Sequence, residues 1–215
     1  YTGGEFNAKS AENAEDAKGR SNEEPLRSLR PLRLRIDCEP GSMSANDETL
    51  LILFSGLPGT GKTTLARRVA QALGAPLFAK DRLQSVLWVH GTADRATADG
   101  YHLLLDQADE QLALGISVVL DAVFPLPGFR EQAREIAARH GARFRVVYCF
   151  CSDEAAWRAR MAGRRQLVPH WAPVGWEEVE RLAALYTPWA PGTALPVDAC
   201  DGVDENLARV LKWIR

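Results

Sequence analysis

The sequence predicts an α/β protein built on a parallel sheet, and three observations carry that prediction. Short apolar runs alternate along the chain with segments of helical periodicity, as they do in βαβ units. Three predicted helices end at a glycine, Gly74, Gly115 or Gly141, and a strand begins a few residues after each of them. Connections this short place a helix directly against the sheet. A glycine-rich loop joins the first strand to the first helix.

Each element follows from its local pattern. The first strand is a continuous apolar run, which is typical of a strand buried on both faces of a parallel sheet. The five predicted strands are 49–55, 76–79, 116–120, 144–150 and 195–199, the last being the weakest. The helices, predicted from helical residue spacing, are 63–73, 82–89, 96–114, 128–140, 153–163, 176–186 and 203–214. Crossovers between the parallel strands are expected to be right-handed.

Composition excludes several classes of protein. The chain has 215 residues, of which 46% are hydrophobic and 25% charged, as in ordinary globular proteins. A net charge of −2 excludes a globally basic nucleic-acid binder, although a local basic patch stays open. We expect no membrane contact, because no apolar run is long enough for a transmembrane helix. Four scattered cysteines and no secretory signal at the start favour a cytoplasmic protein.

Residues 1–42 have a different character from the rest of the chain. Their first half is polar with few large apolar residues, and a stretch of alternating leucine and arginine follows. Gly41, Ser42 and Met43 resemble a cloning remnant before an initiator methionine. We therefore predict a tag-derived or disordered tail over 1–42 and one folded domain over 43–215. The alternative is a basic segment that docks on a partner or on the domain itself.

The glycine-rich loop matches the phosphate-binding pattern G-x-x-x-x-G-K-[ST] over residues 56–63. Glycines let successive backbone N–H groups point inward at phosphate oxygens, and the helix N-terminus adds partial positive charge. Lys62 is predicted to reach the β- and γ-phosphates, and the Thr63 hydroxyl to bind Mg²⁺. The alternative, a turn with a surface lysine, does not explain the flanking strand and helix. The candidate nucleotide-binding residues are Gly56, Leu57, Pro58, Gly59, Thr60, Gly61, Lys62, Thr63 and Thr64.

Two aspartates lie at predicted strand ends, on the edge of the sheet where ligands bind in parallel α/β proteins. Asp121 is placed to hold Mg²⁺ together with Thr63, directly or through water. Asp81 is placed to accept the proton of a substrate hydroxyl that attacks the γ-phosphate. The alternative for Asp81 is a helix N-cap.

Arginines supply the remaining candidates. Arg160 and Arg164 are four residues apart and share a helix face, at the base of a predicted irregular lid over 166–175. They are predicted to stabilise the charge of the transferring phosphoryl group, the alternative being a solvated helix face. Arg130 is a weaker candidate for contact with a substrate phosphate or carboxylate. The roles of His170 and Trp171 in the lid stay open.

Taken together, these motifs resemble the small P-loop kinases, a group that includes chloramphenicol phosphotransferase, zeta-toxin kinases and polynucleotide 5′-kinases and is also described as AAA-type ATP-binding domains. The segments that carry the resemblance are 56–63, 80–82, 118–124 with Arg130, and 160–164, and it extends over roughly 50–215. It implies a five-stranded parallel sheet of order 2-3-1-4-5, helices on both faces and a mobile lid.

The resemblance also implies roles for particular residues. Asp81 matches the base that activates the acceptor hydroxyl, and Arg160 and Arg164 match the lid arginines. One departure concerns Gln84, which stands where many relatives carry a basic residue. Either Arg82 replaces that residue or the acceptor differs. The substrate-binding candidates are Asp81, Arg82, Asp121 and Arg130.

The predicted activity is ATP-dependent transfer of the γ-phosphate to a small-molecule hydroxyl, by in-line attack with Asp81 as base and Mg²⁺ as the metal. One alternative is a polynucleotide 5′-hydroxyl kinase. It is disfavoured because the domain's lysines are Lys62, Lys80 and Lys212 alone, without a lysine-rich run. Another is an ATP-binding NTPase or switch protein, which would turn over ATP without an acceptor. The sequence does not indicate an oligomeric state.

Overall fold

The structure, a computed structural model, describes residues 48–91, 98–163 and 174–215. The predicted tail over 1–42 lies outside these ranges, as do Arg164, His170 and Trp171. Within the described ranges, every helix is too short or too polar to cross a bilayer.

One parallel sheet of five strands organises the described residues, in the order β2-β3-β1-β4-β5. The strands are β1 (Leu50–Ser55), β2 (Leu77–Ala79), β3 (Val118–Asp121), β4 (Arg143–Phe150) and β5 (Leu195–Asp198). All four pairings are parallel, so the carboxyl ends of the strands share one edge. The predicted fold class and strand order are confirmed.

Helices flank this sheet close to the predicted positions. Those described are α1 (Lys62–Leu73), α2 (Lys80–Val89), α3 (Asp99–Ala113), α4 (Pro127–Arg139), α5 (Glu154–Ala162), α6 (Trp176–Leu185) and α7 (Val203–Ile214). The largest differences at described positions are two residues each: α2 begins at Lys80 instead of Arg82, and β3 begins at Val118 instead of Ile116. The Ile116 N–H instead donates to the Gln111 carbonyl at 2.9 Å, and Gly115 has φ +73°, so Ile116 belongs to the end of α3.

The core lies on both faces of the sheet. Leu51 and Leu53 of β1 pack with the buried residues of α3 and α4, whereas Ile52 and Phe54 pack with those of α1 and α7. All four side chains are fully buried, and each contributes about 1.5–3 kcal/mol of hydrophobic stabilisation. The continuous apolar run in β1 is thus a consequence of burial on both sides.

Candidate active site

The loop between β1 and α1 begins at Gly56, where only glycine fits. Gly56 has φ +134°, and a Cβ atom there would lie 2.0 Å from the Cys149 carbonyl oxygen of β4. Its N–H donates to the Val123 carbonyl at 3.3 Å. Gly59 and Gly61 have φ +82° and +77°. These backbone conformations curl the loop over the sheet edge and lead it into the N-terminus of α1.

The side chains of the loop fold toward its own backbone. Lys62 is 8% exposed, and its Nζ donates to the Leu57 carbonyl at 2.7 Å. The Thr60 hydroxyl, also buried, donates to the same carbonyl at 2.8 Å. The lysine ammonium therefore lies against the loop, within reach of any phosphate that the loop holds.

The side chains of Thr63 and Asp121, both predicted to hold Mg²⁺, are hydrogen-bonded to each other. The Thr63 hydroxyl donates to Asp121 Oδ2 at 2.6 Å, across a separation of 58 residues. Asp121 ends β3, in register with Phe54 on β1 and Ala79 on β2, which places it between these two strands at the edge. Burial raises the pKa of its carboxyl, while the charge of Lys62 and the Thr63 hydrogen bond oppose that rise. A hydroxyl beside a carboxylate is a donor set that suits Mg²⁺.

The raised pKa of Asp121 leads to a prediction about the stability of the protein without metal or nucleotide. An acid whose pKa is higher in the folded state destabilises the fold when ionised, so stability rises as pH falls through the folded pKa. In the presence of a chelator at pH 7, Asp121→Asn is therefore expected to raise the melting temperature by a few degrees. The same variant is expected to lose the further rise that Mg²⁺ with ATP gives the wild type.

Asp198 provides the opposite case as a control. Slight burial acts to raise the pKa of its carboxyl, but hydrogen bonds from Ser152 and Cys200 prevail and lower it from 3.8 to about 2. Its contribution to stability is complete above pH 3.8 and lost as pH falls through about 2. Asp198→Asn is expected to lower the melting temperature at pH 7. If Asp121→Asn lowers it as well, the prediction for Asp121 is wrong.

A cavity of about 100 Å³ opens between the ends of β2 and β3, which we call the β2–β3 cavity. Asp81 and Arg82, in the first turn of α2, line it together with Lys62, Thr63 and Asp121. Its other lining residues are Pro58, Arg67, Leu77, Ala79, Ala122, Val123 and Val174. The structure thus brings Asp81 to the same cavity as the loop lysine and the Thr63–Asp121 pair.

A second cavity, of about 380 Å³, lies on the other side of the loop and is called the β4–β5 cavity. Thr60 and Thr64 line it, together with Arg160 and residues that follow β5. The Arg160 side chain is exposed, and its Nη1 lies 3.7 Å from Cys151 Sγ. Arg160 is therefore placed beside this cavity rather than beside Asp81.

Trp157 of α5 supports the loop, a role that the sequence did not indicate. Its indole N–H donates to the Pro58 carbonyl at 2.8 Å, although the residues are 99 positions apart. A Cβ atom at Gly59 would lie 2.5 Å from Met161 Sδ and 2.9 Å from Trp157 Nε1. Trp157 and Met161 share a helix face at a spacing of four, which was the available signal.

Removing this support is expected to weaken nucleotide binding. Trp157→Phe keeps most of the ring but loses one hydrogen bond, which contributes about 0.5–1.5 kcal/mol and corresponds to a loss of affinity of about 2- to 12-fold. Isothermal titration with ADP and Mg²⁺ measures the change. Trp213→Phe, in α7 where the ring packs against Arg145, is the matched control. Equal affinity in both variants would show that the loop keeps its shape without Trp157.

Arg130, predicted to contact substrate, lies in the interior. It is 6% exposed, and its Nε donates to the Phe124 carbonyl at 2.7 Å. Its guanidinium packs on the rings of Trp189 and Tyr186, 4.2 and 4.9 Å from their centroids. Phe124 has φ +49°, so these contacts hold a strained turn just after β3. The geometry favours a structural role for Arg130, and its contact with substrate stays a prediction.

Gln84 also proves to be a structural residue. It is fully buried, and its Oε1 accepts the N–H of Gly100 at 2.9 Å, which joins α2 to the start of α3. The position at which the family resemblance implies a basic residue thus holds a buried glutamine that packs α2 against α3. Arg82, two residues earlier, is the basic side chain of α2 that lines the β2–β3 cavity.

This fold and this loop define the class: the domain has the architecture of the small P-loop kinases. Residues 51–188 match the AAA domain family (AAA_33), and the chain belongs to that family. An uncharacterized protein of Mycobacterium tuberculosis (strain H37Rv) is 36% identical over 101 residues, which cover 41% of this chain and 20% of that protein. An uncharacterized protein of Mycobacterium bovis matches equally. The chain thus spans about a fifth of the length of these curated relatives.

Solved structures share the fold at low sequence identity. A sugar kinase from Janibacter sp. HTCC2649 superposes with a TM-score of 0.60 at 18% identity, covering 77% of this chain and 94% of that one. A gluconokinase from Sinorhizobium meliloti 1021 has a TM-score of 0.57 at 22% identity, covering 77% and 91%. Kti12 from Chaetomium thermophilum, in complex with ADP-AlF3, has a TM-score of 0.59 at 22% identity, covering 77% and 99%.

Proposed function

We propose that the domain, residues 43–215, transfers the γ-phosphate of ATP to a hydroxyl group of a small molecule. The observation that carries this proposal is the β2–β3 cavity, in which Asp81 lies with Lys62 and with the Thr63–Asp121 pair. A carboxylate that could receive a proton therefore shares one space with the groups expected at the γ-phosphate.

The two cavities suggest separate binding sites for the nucleotide and for the acceptor. The loop over 56–63 would bind the phosphates through its backbone N–H groups, and Lys62 would neutralise them. The larger β4–β5 cavity, which Thr64 and Arg160 line, would take the nucleoside. The smaller β2–β3 cavity would then take the acceptor, and its size favours a small molecule over a polynucleotide. The sugar kinase and gluconokinase among the similar folds agree with such an acceptor.

Thr63 and Asp121 would hold Mg²⁺, because they offer a hydroxyl and a carboxylate oxygen that already lie 2.6 Å apart. When bound, the metal neutralises phosphate charge and so favours transfer. Asp81 would orient the acceptor hydroxyl and receive its proton. Arg160, beside the β4–β5 cavity, would reach the phosphates from the nucleoside side, and Arg164, four residues later in the sequence, stays a predicted partner in this role.

Acceptor-dependent ADP formation tests the proposal. The full chain is incubated with ATP and Mg²⁺, alone and with a panel of small hydroxyl compounds and a 5′-hydroxyl oligonucleotide. We expect at least one small compound to raise ADP formation by orders of magnitude and to gain one phosphate by mass spectrometry. Stimulation by the oligonucleotide alone would favour a polynucleotide kinase. Slow turnover that no acceptor changes would favour an NTPase or switch protein.

A further inference from the structure

The β2–β3 cavity contains more positive charge than phosphoryl transfer requires. Its charged lining residues are Lys62, Arg67, Asp81, Arg82 and Asp121. In the proposed function, Lys62 is used by the nucleotide phosphates, Asp121 by the metal and Asp81 by the acceptor hydroxyl. Two guanidinium groups are left: that of Arg82, which the sequence already predicts to bind substrate, and that of Arg67.

These two arginines come from different helices and face the same space. Arg67 follows Thr63 by four residues on α1, so both side chains lie on the helix face that borders the cavity. Arg82 follows Asp81 in the first turn of α2. Both residues are exposed. Within the described ranges, neither side chain makes an ion pair with a carboxylate.

Arg68, the next residue along α1, forms an ion pair and does not line the cavity. Arg68 points away from the cavity, and its Nη2 lies 2.6 Å from Asp204 Oδ1 on α7. Arg67 has no such ion pair among the residues described, although its charge acts on the buried Asp121 carboxyl, and the apolar lining of the cavity includes Leu77, Ala79 and Val174. The cavity therefore presents Arg67 and Arg82 to whatever molecule enters it.

We propose that the acceptor carries an oxyanion, a carboxylate or a phosphate ester, which Arg67 and Arg82 bind while Asp81 faces the hydroxyl. This inference rests on the proposed function and narrows its substrate class. The guanidinium group offers a planar fork of donors that matches a carboxylate or a phosphate in two-point contact. A neutral polyol can accept hydrogen bonds from the guanidinium groups through its hydroxyl oxygens, but it supplies no negative charge and no paired oxygens to match the forks.

Matched acceptors that differ in one group test the inference. The pairs are a polyol and the corresponding acid: glycerol and glycerate, xylitol and xylonate, glucitol and gluconate. For the pair that the full chain phosphorylates, we expect the acid to have a kcat/KM at least about 10-fold above that of the polyol, because a hydrogen bond to a charged group is worth that much or more. Equal use of both members, or preference for the polyol, overturns the inference.

Single substitutions test whether Arg67 and Arg82 cause the preference for the acid over the polyol. Arg67→Gln and Arg82→Gln are each expected to raise KM for the acid about 10-fold or more, with KM for ATP unchanged. Arg68→Gln, the adjacent arginine outside the cavity, is the matched control and is expected to change neither value. If Arg67→Gln and Arg82→Gln lower kcat equally for both members of a pair, the arginines serve the transferring phosphoryl group and the inference is wrong.

A binding measurement without turnover distinguishes failure of the inference from failure of the proposed function. With the nucleotide site filled by Mg²⁺ and a non-hydrolysable ATP analogue, calorimetry with gluconate and glucitol measures anion recognition without turnover. Tighter binding of gluconate than of glucitol, lost in Arg82→Gln, supports the inference whatever the activity. Phosphorylation of a polyol without any preference for acids supports the proposed function and overturns the inference. Absence of acceptor-dependent turnover with every compound contradicts the proposed function.

Discussion

Replacing Asp81 with asparagine is expected to lower acceptor-dependent ATP turnover by about 10²- to 10⁴-fold, the range that general base catalysis contributes. The substitution keeps the size of the side chain and its place in the β2–β3 cavity, but the amide cannot receive the hydroxyl proton. Asp81 is exposed in the first turn of α2, so the fold is expected to tolerate the change. Nucleotide affinity should stay within about 2-fold of wild type, because the phosphate loop is a separate segment.

Single-turnover formation of ADP and phosphorylated acceptor measures turnover. Calorimetry of ADP binding measures nucleotide affinity. Asp106→Asn makes the same chemical change at an exposed position of α3 and is the matched control. If Asp81→Asn retains wild-type turnover, Asp81 is not the base, and its place in the first turn of α2 is a matter of helix electrostatics alone.

Replacing Lys62 with alanine is expected to reduce turnover by about 10²- to 10³-fold, the loss that follows removal of one preorganised donor from a transition state. Lys62 is 8% exposed, and its ammonium lies 2.7 Å from the Leu57 carbonyl at the inner side of the loop. Without that charge, the loop keeps its backbone N–H groups but loses its cation at the β- and γ-phosphates. Nucleotide affinity is expected to fall together with kcat.

Lys212→Ala, in an exposed position of α7, is the control for the loss of a lysine. The pair of active-site variants also separates the candidate activities. A small-molecule kinase loses turnover in both Lys62→Ala and Asp81→Asn. An NTPase or switch protein loses it in Lys62→Ala and keeps it in Asp81→Asn. Unchanged turnover in Lys62→Ala would contradict nucleotide binding by the loop over 56–63.

The fold could be predicted because its signals are local. Five apolar runs, seven helical segments and glycines at helix ends place the elements within a few residues of their observed bounds. The strand order could not be worked out from these patterns and came from the resemblance of segments such as 56–63 and 80–82 to the small P-loop kinases. The start of β3 was misplaced because Ile116 is apolar like a strand residue yet completes the end of α3.

The roles of individual polar side chains were harder to predict. Arg130 and Arg82 look alike in sequence, since each is a single arginine shortly after a strand-end aspartate. The structure buries Arg130 between Trp189 and Tyr186 and leaves Arg82 at the cavity. Rings that are close in space but about 56 to 59 residues away in sequence decide this difference. The structural role of Gln84 is likewise seen only in the structure, where its side chain accepts a hydrogen bond from the Gly100 N–H.

The sequence by itself predicted a phosphate-binding loop, because the pattern over 56–63 needs only its own residues and the strand and helix beside it. It also determined that Asp81 and Asp121 would share a sheet edge, since parallel strands end on the same side. Only the tertiary structure decided other contacts across long separations: Trp157 with the loop, and Arg67 rather than Arg68 with the cavity. The reason is that those contacts depend on how helices rotate against the sheet when the two cores pack, and residue spacing along one helix does not specify that rotation.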